Sequence, residues 1–163
     1  MVSRTIQRVP RTRPEPIASG PRPVMLATLS VRVDATAEAM AIDSALEAGV
    51  SLIVANMLIL RPYPATVMLA REGVNLPREE DLDEVRATAS RAAALGIRTE
   101  LLRVSSLRPV RALLELAAER QVGLLVFGPD QARIPRYRFR RAARTVRKYA
   151  PCLVWTAEPL TSR

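Results

Sequence analysis

From Val24 onward, short apolar runs alternate with stretches in which apolar residues recur every three or four positions. Val24–Leu29 is uninterrupted and apolar apart from Thr28, the signature of a buried strand. A helix follows from about Asp34 or Thr36 to Ala48, with Ile42, Ala45, Leu46 and Gly49 at i, i+3, i+4 and i+7 and Gly49 as its stop. Leu52–Leu60 reads as a second strand whose two faces are both covered. Arg61-Pro-Tyr-Pro64 breaks the pattern, and the segment to Pro77 carries no assignable period. Glu79, Glu80, Asp81, Asp83 and Glu84 then crowd the start of a helix, where the dipole favours anions, and Gly96 closes it.

Thr99–Val104 predicts a third strand. Pro109 opens a helix with Val110, Leu113, Leu114 and Ala117 as its buried stripe. Leu124–Phe127 is the fourth strand. The last helix, Phe139–Ala150, places Phe139, Ala142, Ala143, Val146 and Ala150 on one face and Arg140, Arg144, Arg147 and Lys148 on the other. Pro151 ends it, and Leu153–Thr156 is the fifth strand. Strand–helix alternation with right-handed crossovers predicts a doubly wound α/β domain, a five-stranded parallel sheet with helices on both faces, over residues 24–163. Residues 1–23 mix Arg, Pro, Ser and Thr without a period, with prolines at 10, 14, 16, 21 and 23. Such a segment buries too little to offset its ordering entropy, so a disordered basic tail is expected.

Charge sharpens this picture. The net charge of +9 is concentrated in two places. Residues 1–23 hold five arginines against Glu15, and residues 128–148 hold seven arginines and Lys148 against Asp130. The rest is slightly acidic. Charge clustered this way favours a local anionic partner over general solubility.

Several chemistries are excluded or disfavoured. The chain has no histidine, which removes imidazole acid–base catalysis, His-dependent triads and the common zinc sites. Its single cysteine, Cys152, can form no internal disulfide, as suits a reducing cytoplasm. No run reaches the ~20 apolar residues of a membrane helix, so no membrane contact is expected. Ser30 reads as a turn residue rather than a nucleophile, Asp34 as a helix cap and Cys152 as a small buried hydrophobe. No catalytic residue, metal or cofactor is expected.

The order of elements and several short motifs resemble the universal stress protein family, over roughly Pro23 to Thr156. Val24-Met-Leu-Ala-Thr28 resembles the family's first strand, which is followed by an acidic residue. Leu52–Met57 resembles its second. Ser105–Pro109 with the Val110–Arg120 helix and Val122–Gly128 resembles its third-helix and fourth-strand block. Tyr149-Ala-Pro-Cys152 with Leu-Val-Trp155 resembles its closing motif. The resemblance implies strand order 3-2-1-4-5 and a homodimer through the last strand, Leu153, Val154, Trp155 and Thr156.

The resemblance also implies where ATP would bind: an acidic residue after the first strand, and a loop of Gly, two residues, Gly, nine residues, Gly, Ser or Thr. Gly128 matches the first glycine. Gln131 stands at the second and Leu29 at the acidic position; anchored on Ala150-Pro-Cys152, Arg140 and Arg141 stand at the final pair, with the loop one residue short. Glycines let backbone N–H groups approach a phosphate, and arginine side chains at those positions obstruct that approach. The expected function is therefore a dimeric regulatory or binding module that does not take ATP in the family's usual way.

Two alternatives remain open. Arg133, Arg136, Arg138, Arg140 and Arg141, with Gly128, could hold a nucleotide or polyphosphate through guanidinium forks, with Thr28 and Met57 beside the base. The same basic patch, Pro135-Arg-Tyr-Arg-Phe-Arg-Arg141, interleaves aromatics with cations and could hold nucleic acid.

Overall fold

The computed structural model describes residues 21–60 and 78–157. The basic segment 1–20 and the stretch 61–77 lie outside them, and with them the expected tail and the Arg61–Pro64 break. Among the described residues nine elements follow one another: β1 (Val24–Leu29), α1 (Ala35–Ala48), β2 (Leu52–Ile59), α2 (Glu79–Ala94), β3 (Thr99–Ser106), α3 (Pro109–Glu119), β4 (Leu124–Phe127), α4 (Arg136–Tyr149) and β5 (Leu153–Thr156). All five strands are parallel, in the order β3-β2-β1-β4-β5. That is the expected sheet.

The sheet buries both faces. Because side chains alternate along a strand, Met25, Ala27, Leu29, Ile53, Ala55, Met57, Leu125 and Phe127 meet α3 and α4. Val24, Leu26, Leu52, Val54 and Val126 meet α1 and α2 from the other side. Phe127 and Phe139 stack with ring centroids 6.0 Å apart, locking α4 onto β4.

The helix ends follow from local chemistry. Asp34 caps α1, its Oδ1 accepting from the Thr36 and Ala37 amides at 2.9 and 3.2 Å. Gly49 closes α1 at φ 63°, a left-handed conformation that glycine adopts without strain. The buried stripe of α1 is Ala37, Ala41, Ile42 and Ala45, and Leu46, expected within it, is exposed. Leu46 sits one position beyond Ala45, which rotates it off the sheet.

Two boundaries move by two residues or more. β3 runs on to Ser106, since its pairing with Leu58 and Ile59 needs only backbone groups and its polar side chains lie on an edge strand. α4 starts at Arg136, three residues early. Pro135 supplies an extended cap, and arginine is a good helix former, so nothing delays the helix to Phe139.

An ion-pair network clamps α1 to α2. Glu38 receives Arg91 Nε at 2.6 Å, Arg91 Nη2 at 2.8 Å and the Thr88 hydroxyl at 2.8 Å. These bonds, chiefly that from Arg91, hold the Glu38 carboxyl below the usual carboxylate range. A depressed folded-state pKa stabilises the fold above the unfolded value and is lost as pH falls through the folded value. Glu38→Gln should therefore cost about 1 kcal/mol near neutrality, since Arg91 is half-exposed. The gap between variant and wild type in urea melts should close on acidification below about pH 4.5. A gap independent of pH would contradict the ion pair.

Candidate functional site

In an open α/β sheet the crevice for ligands lies beyond the carboxyl ends of the strands where the strand order reverses, here between β1 and β4. The chain ties this place together. After β1 and β4 the two segments form an antiparallel bridge, Val33 to Pro129. The Asp34 amide donates to the Gly128 carbonyl at 2.9 Å, and the Asp130 amide donates to the Arg32 carbonyl at 2.9 Å. Arg32 Nε then meets Asp130 Oδ2 at 2.8 Å, and this bond raises the arginine's pKa.

The N-terminus of α2 joins the same knot. Asp81 is buried, and its Oδ1 accepts from the Arg32 amide at 3.3 Å. Arg133 reaches across to Asp81 at 3.8 Å and to Glu80 at 4.0 Å. Ser30 adopts a left-handed backbone (φ 56°), donates its hydroxyl to the Met57 carbonyl at 3.3 Å and accepts from the Ile59 amide at 3.2 Å. It shapes the exit from β1, as expected of a turn residue.

The residues expected to contact a ligand do not converge. Thr28 is fully buried, and its hydroxyl donates to the Val31 carbonyl at 2.6 Å. Met57 is fully buried as well, but on the opposite face of the sheet, beside Leu29 and Phe127. Alternation along the strands separates them: β1 presents Val24, Leu26 and Thr28 to α1, while Leu29 and its register partner Met57 face α3 and α4. Beside Thr28 in the register, Asn56 is buried, and its Oδ1 has no hydrogen-bond partner among the described residues.

Gly128 has a packing role. A Cβ there would lie 2.0 Å from the Ala37 Cβ, so the missing side chain is what lets α1 sit against the end of β4. Arg138, Arg140 and Arg141 lie on α4 itself, exposed, not in a loop before it. Arg136 opens that helix. Arg133 turns into the knot at the strand ends, whereas Arg138, Arg140 and Arg141 are exposed on the helix.

Cys152 is half-buried just before β5, where burial pushes its thiol pKa up, away from the reactive thiolate. Among the described residues no group of three or more Cys, Asp or Glu is placed to hold a metal ion. No helix among them is long and apolar enough to cross a membrane.

The cross-ties at the strand ends leave no local mark in the sequence. Asp81 reads in sequence as one of several acidic residues in a first helical turn, and nothing local marks it as the buried one. Arg32 and Asp130 are 98 positions apart, and only the strand order brings them together.

A parallel sheet in the order 3-2-1-4-5, with its switch point between the first and fourth strands, defines a doubly wound α/β domain. The sequence profile of the Universal stress protein family matches residues 21–157, and the chain belongs to that family. No curated protein matches the chain. Among solved structures it is similar to a universal stress protein in complex with cAMP, at 22% identity and TM-score 0.59, covering 85% of this chain and 99% of that one. The universal stress protein from Archaeoglobus fulgidus in complex with dAMP is similar at 21% identity and TM-score 0.54, covering 84% and 98%. UspA from Lactobacillus plantarum is similar at 15% identity and TM-score 0.61, covering 84% and 99%. At these identities the likeness carries the fold alone.

Proposed function

We propose that this protein is a dimeric binding and regulatory module of the cytoplasm that does not hold ATP in the manner of nucleotide-binding universal stress proteins. The observation that carries the reading is the occupation of the ligand positions by packing. Leu29 and Met57 belong to the core, the Thr28 hydroxyl is engaged by the backbone, and Gly128 is pressed against Ala37. Leu29 also offers no acceptor to a ribose or base, and Gln131, Arg140 and Arg141 replace the small residues that let amides approach phosphate.

A phosphate-bearing ligand held by the segment after β4 is less well supported. Arg133, whose guanidinium turns inward, already faces Asp81 and Glu80. Related structures hold cAMP and dAMP, so nucleotides are the ligands to test. Millimolar ATP, AMP, cAMP or dAMP should leave the melting temperature unchanged, because a ligand stabilises only the state that binds it. A saturable rise with any of them would overturn the reading.

The dimer part of the proposal rests on β5. This strand pairs with β4 along one side only among the described residues, and it is four residues long. Leu153 is 75% exposed, and Trp155 packs only partly against the α1 side of the sheet. An edge strand with unpaired backbone groups and exposed apolar side chains is suited to pairing with a second copy. Catalysis has little support, because Ser30 is held by backbone hydrogen bonds and Cys152 is half-buried.

A further inference from the structure

α4 is the most unusual element of the chain. Its 14 residues, RYRFRRAARTVRKY, hold six arginines and a lysine and no carboxylate. Phe139, Ala142, Ala143 and Val146 bury one side against the sheet. At 100° per residue, Tyr137, Arg140, Arg141, Arg144, Arg147 and Lys148 fall together on the other. All six are exposed, Tyr137 by 67%.

These charges are not neutralised among the described residues. Among the described residues no carboxylate pairs with Arg138, Arg140, Arg141, Arg144, Arg147 or Lys148. Arg147 donates to the Thr156 hydroxyl on β5, and the Lys148 ammonium lies 5.1 Å over the Tyr149 ring. Arg140 and Arg144, and Arg144 and Lys148, are like charges at i, i+4, a spacing that destabilises a helix. Arg138 in the first turn opposes the helix dipole. The chain thus keeps an arrangement that weakens α4 unless an anion covers it.

We propose that this face of α4 binds a nucleic-acid strand. Arg140, Arg144 and Lys148 climb the helix in steps of about 6 Å, a pitch at which successive guanidinium and ammonium groups can each meet a phosphate. Phe139, Arg140, Ala143, Arg144, Arg147 and Lys148 line a groove of about 410 Å³, with an apolar floor and a basic rim. Tyr137 stands among the cations with its ring in solvent, a platform on which a base can stack.

That ring separates nucleic acid from other anions. An acidic peptide would satisfy the arginines but gives Tyr137 no extended planar face. A membrane-bound helix needs an exposed apolar side, and the apolar side of α4 is buried in the core. The surface is distinct from the strand-end crevice, so it stands whether or not a nucleotide binds there.

The test is fluorescence anisotropy of a labelled single-stranded oligonucleotide of mixed sequence, as DNA and as RNA, with the full chain over a range of salt. Four phosphate contacts, from Arg140, Arg144, Lys148 and the neighbouring Arg141, predict a slope of log K against log salt near −3. The triple substitution Arg140→Gln, Arg144→Gln, Lys148→Gln should bring that slope to about −1 and weaken binding. Tyr137→Ala should weaken binding by about fivefold or more and leave the slope unchanged. All four positions are exposed, and the triple variant relieves repulsion, so its melting temperature should hold or rise. Unchanged affinity in the triple variant would place any binding elsewhere, on the basic N-terminal segment, and overturn the proposal. So would equal affinity for polyglutamate, binding to anionic vesicles without binding to oligonucleotide, or indifference to Tyr137→Ala.

Discussion

Gly128→Ala is expected to destabilise the protein by about 3 kcal/mol, the upper end of overpacking in a close-packed core. For a domain of this size that lowers the melting temperature by roughly 6–12 °C. The added methyl would meet the Ala37 Cβ at 2.0 Å, with α1 on one side and the carboxyl end of β4 on the other. Neither can yield easily, because Asp34 of the α1 cap is itself hydrogen-bonded to the Gly128 carbonyl. The companion substitution separates this cause from any other. Ala37→Gly alone should cost about 1 kcal/mol, the usual penalty for glycine inside a helix. Combined with Gly128→Ala it should recover most of the loss, because it removes the opposing methyl. Thermal melts in which the two costs simply add would show that the clash is not the reason for glycine at this position.

Trp155→Arg should dissociate the proposed dimer. The indole lies on β5 with part of its surface against the sheet and the rest toward solvent, next to the exposed Leu153. In a symmetric pairing each copy meets the other's charge, and Lys148, Arg147 and Arg144 of the adjoining helix already make this end of the molecule basic. A rise of about tenfold or more in the dimer dissociation constant is expected in sedimentation velocity, equivalent to at least about 1.4 kcal/mol. An unchanged dimer would remove Trp155 from the interface and, with it, the role given to β5.

Much of the fold was legible in the sequence, because the signals that define it are local. Val24–Leu29, Leu124–Phe127 and Leu153–Thr156 stand where their apolar runs placed them. Parallel pairing follows from the helices between the strands. Asp34 and Gly49 punctuate α1 as their chemistry predicts. Where local signals were weak, boundaries slipped: arginines after Pro135 carry no apolar period, so the first turn of α4 was read as loop.

The candidate site was much less legible. Thr28 and Met57 are close along the sheet, yet adjacent strands place them on opposite faces, and spacing in the sequence does not reveal this without the register. Gly128 can be recognised as a position that tolerates no side chain. Whether the missing atom makes room for phosphate or for Ala37 depends on how α1 packs, which is set by contacts about 90 residues away. The Arg32–Asp130 and Arg133–Asp81 ties are likewise products of topology. The charge on α4 was fully visible, and the structure adds that Tyr137 is exposed while Phe139 is buried.

The most direct test of the central claim is isothermal calorimetry of the purified protein with ATP, then with ADP and a short polyphosphate, at low and moderate salt. The same titrations apply to the Arg140→Gly, Arg141→Ser double variant. The account predicts no saturable heat from ATP in either protein, because Leu29 and Gln131 still lack the groups a nucleotide needs and Leu29 and Met57 still fill the core. Saturable, nucleotide-selective binding to the wild-type protein would mean that a phosphate site has been rebuilt without its glycines. Binding gained by the double variant alone would mean that Arg140 and Arg141 were the only barrier. Either result would contradict the claim.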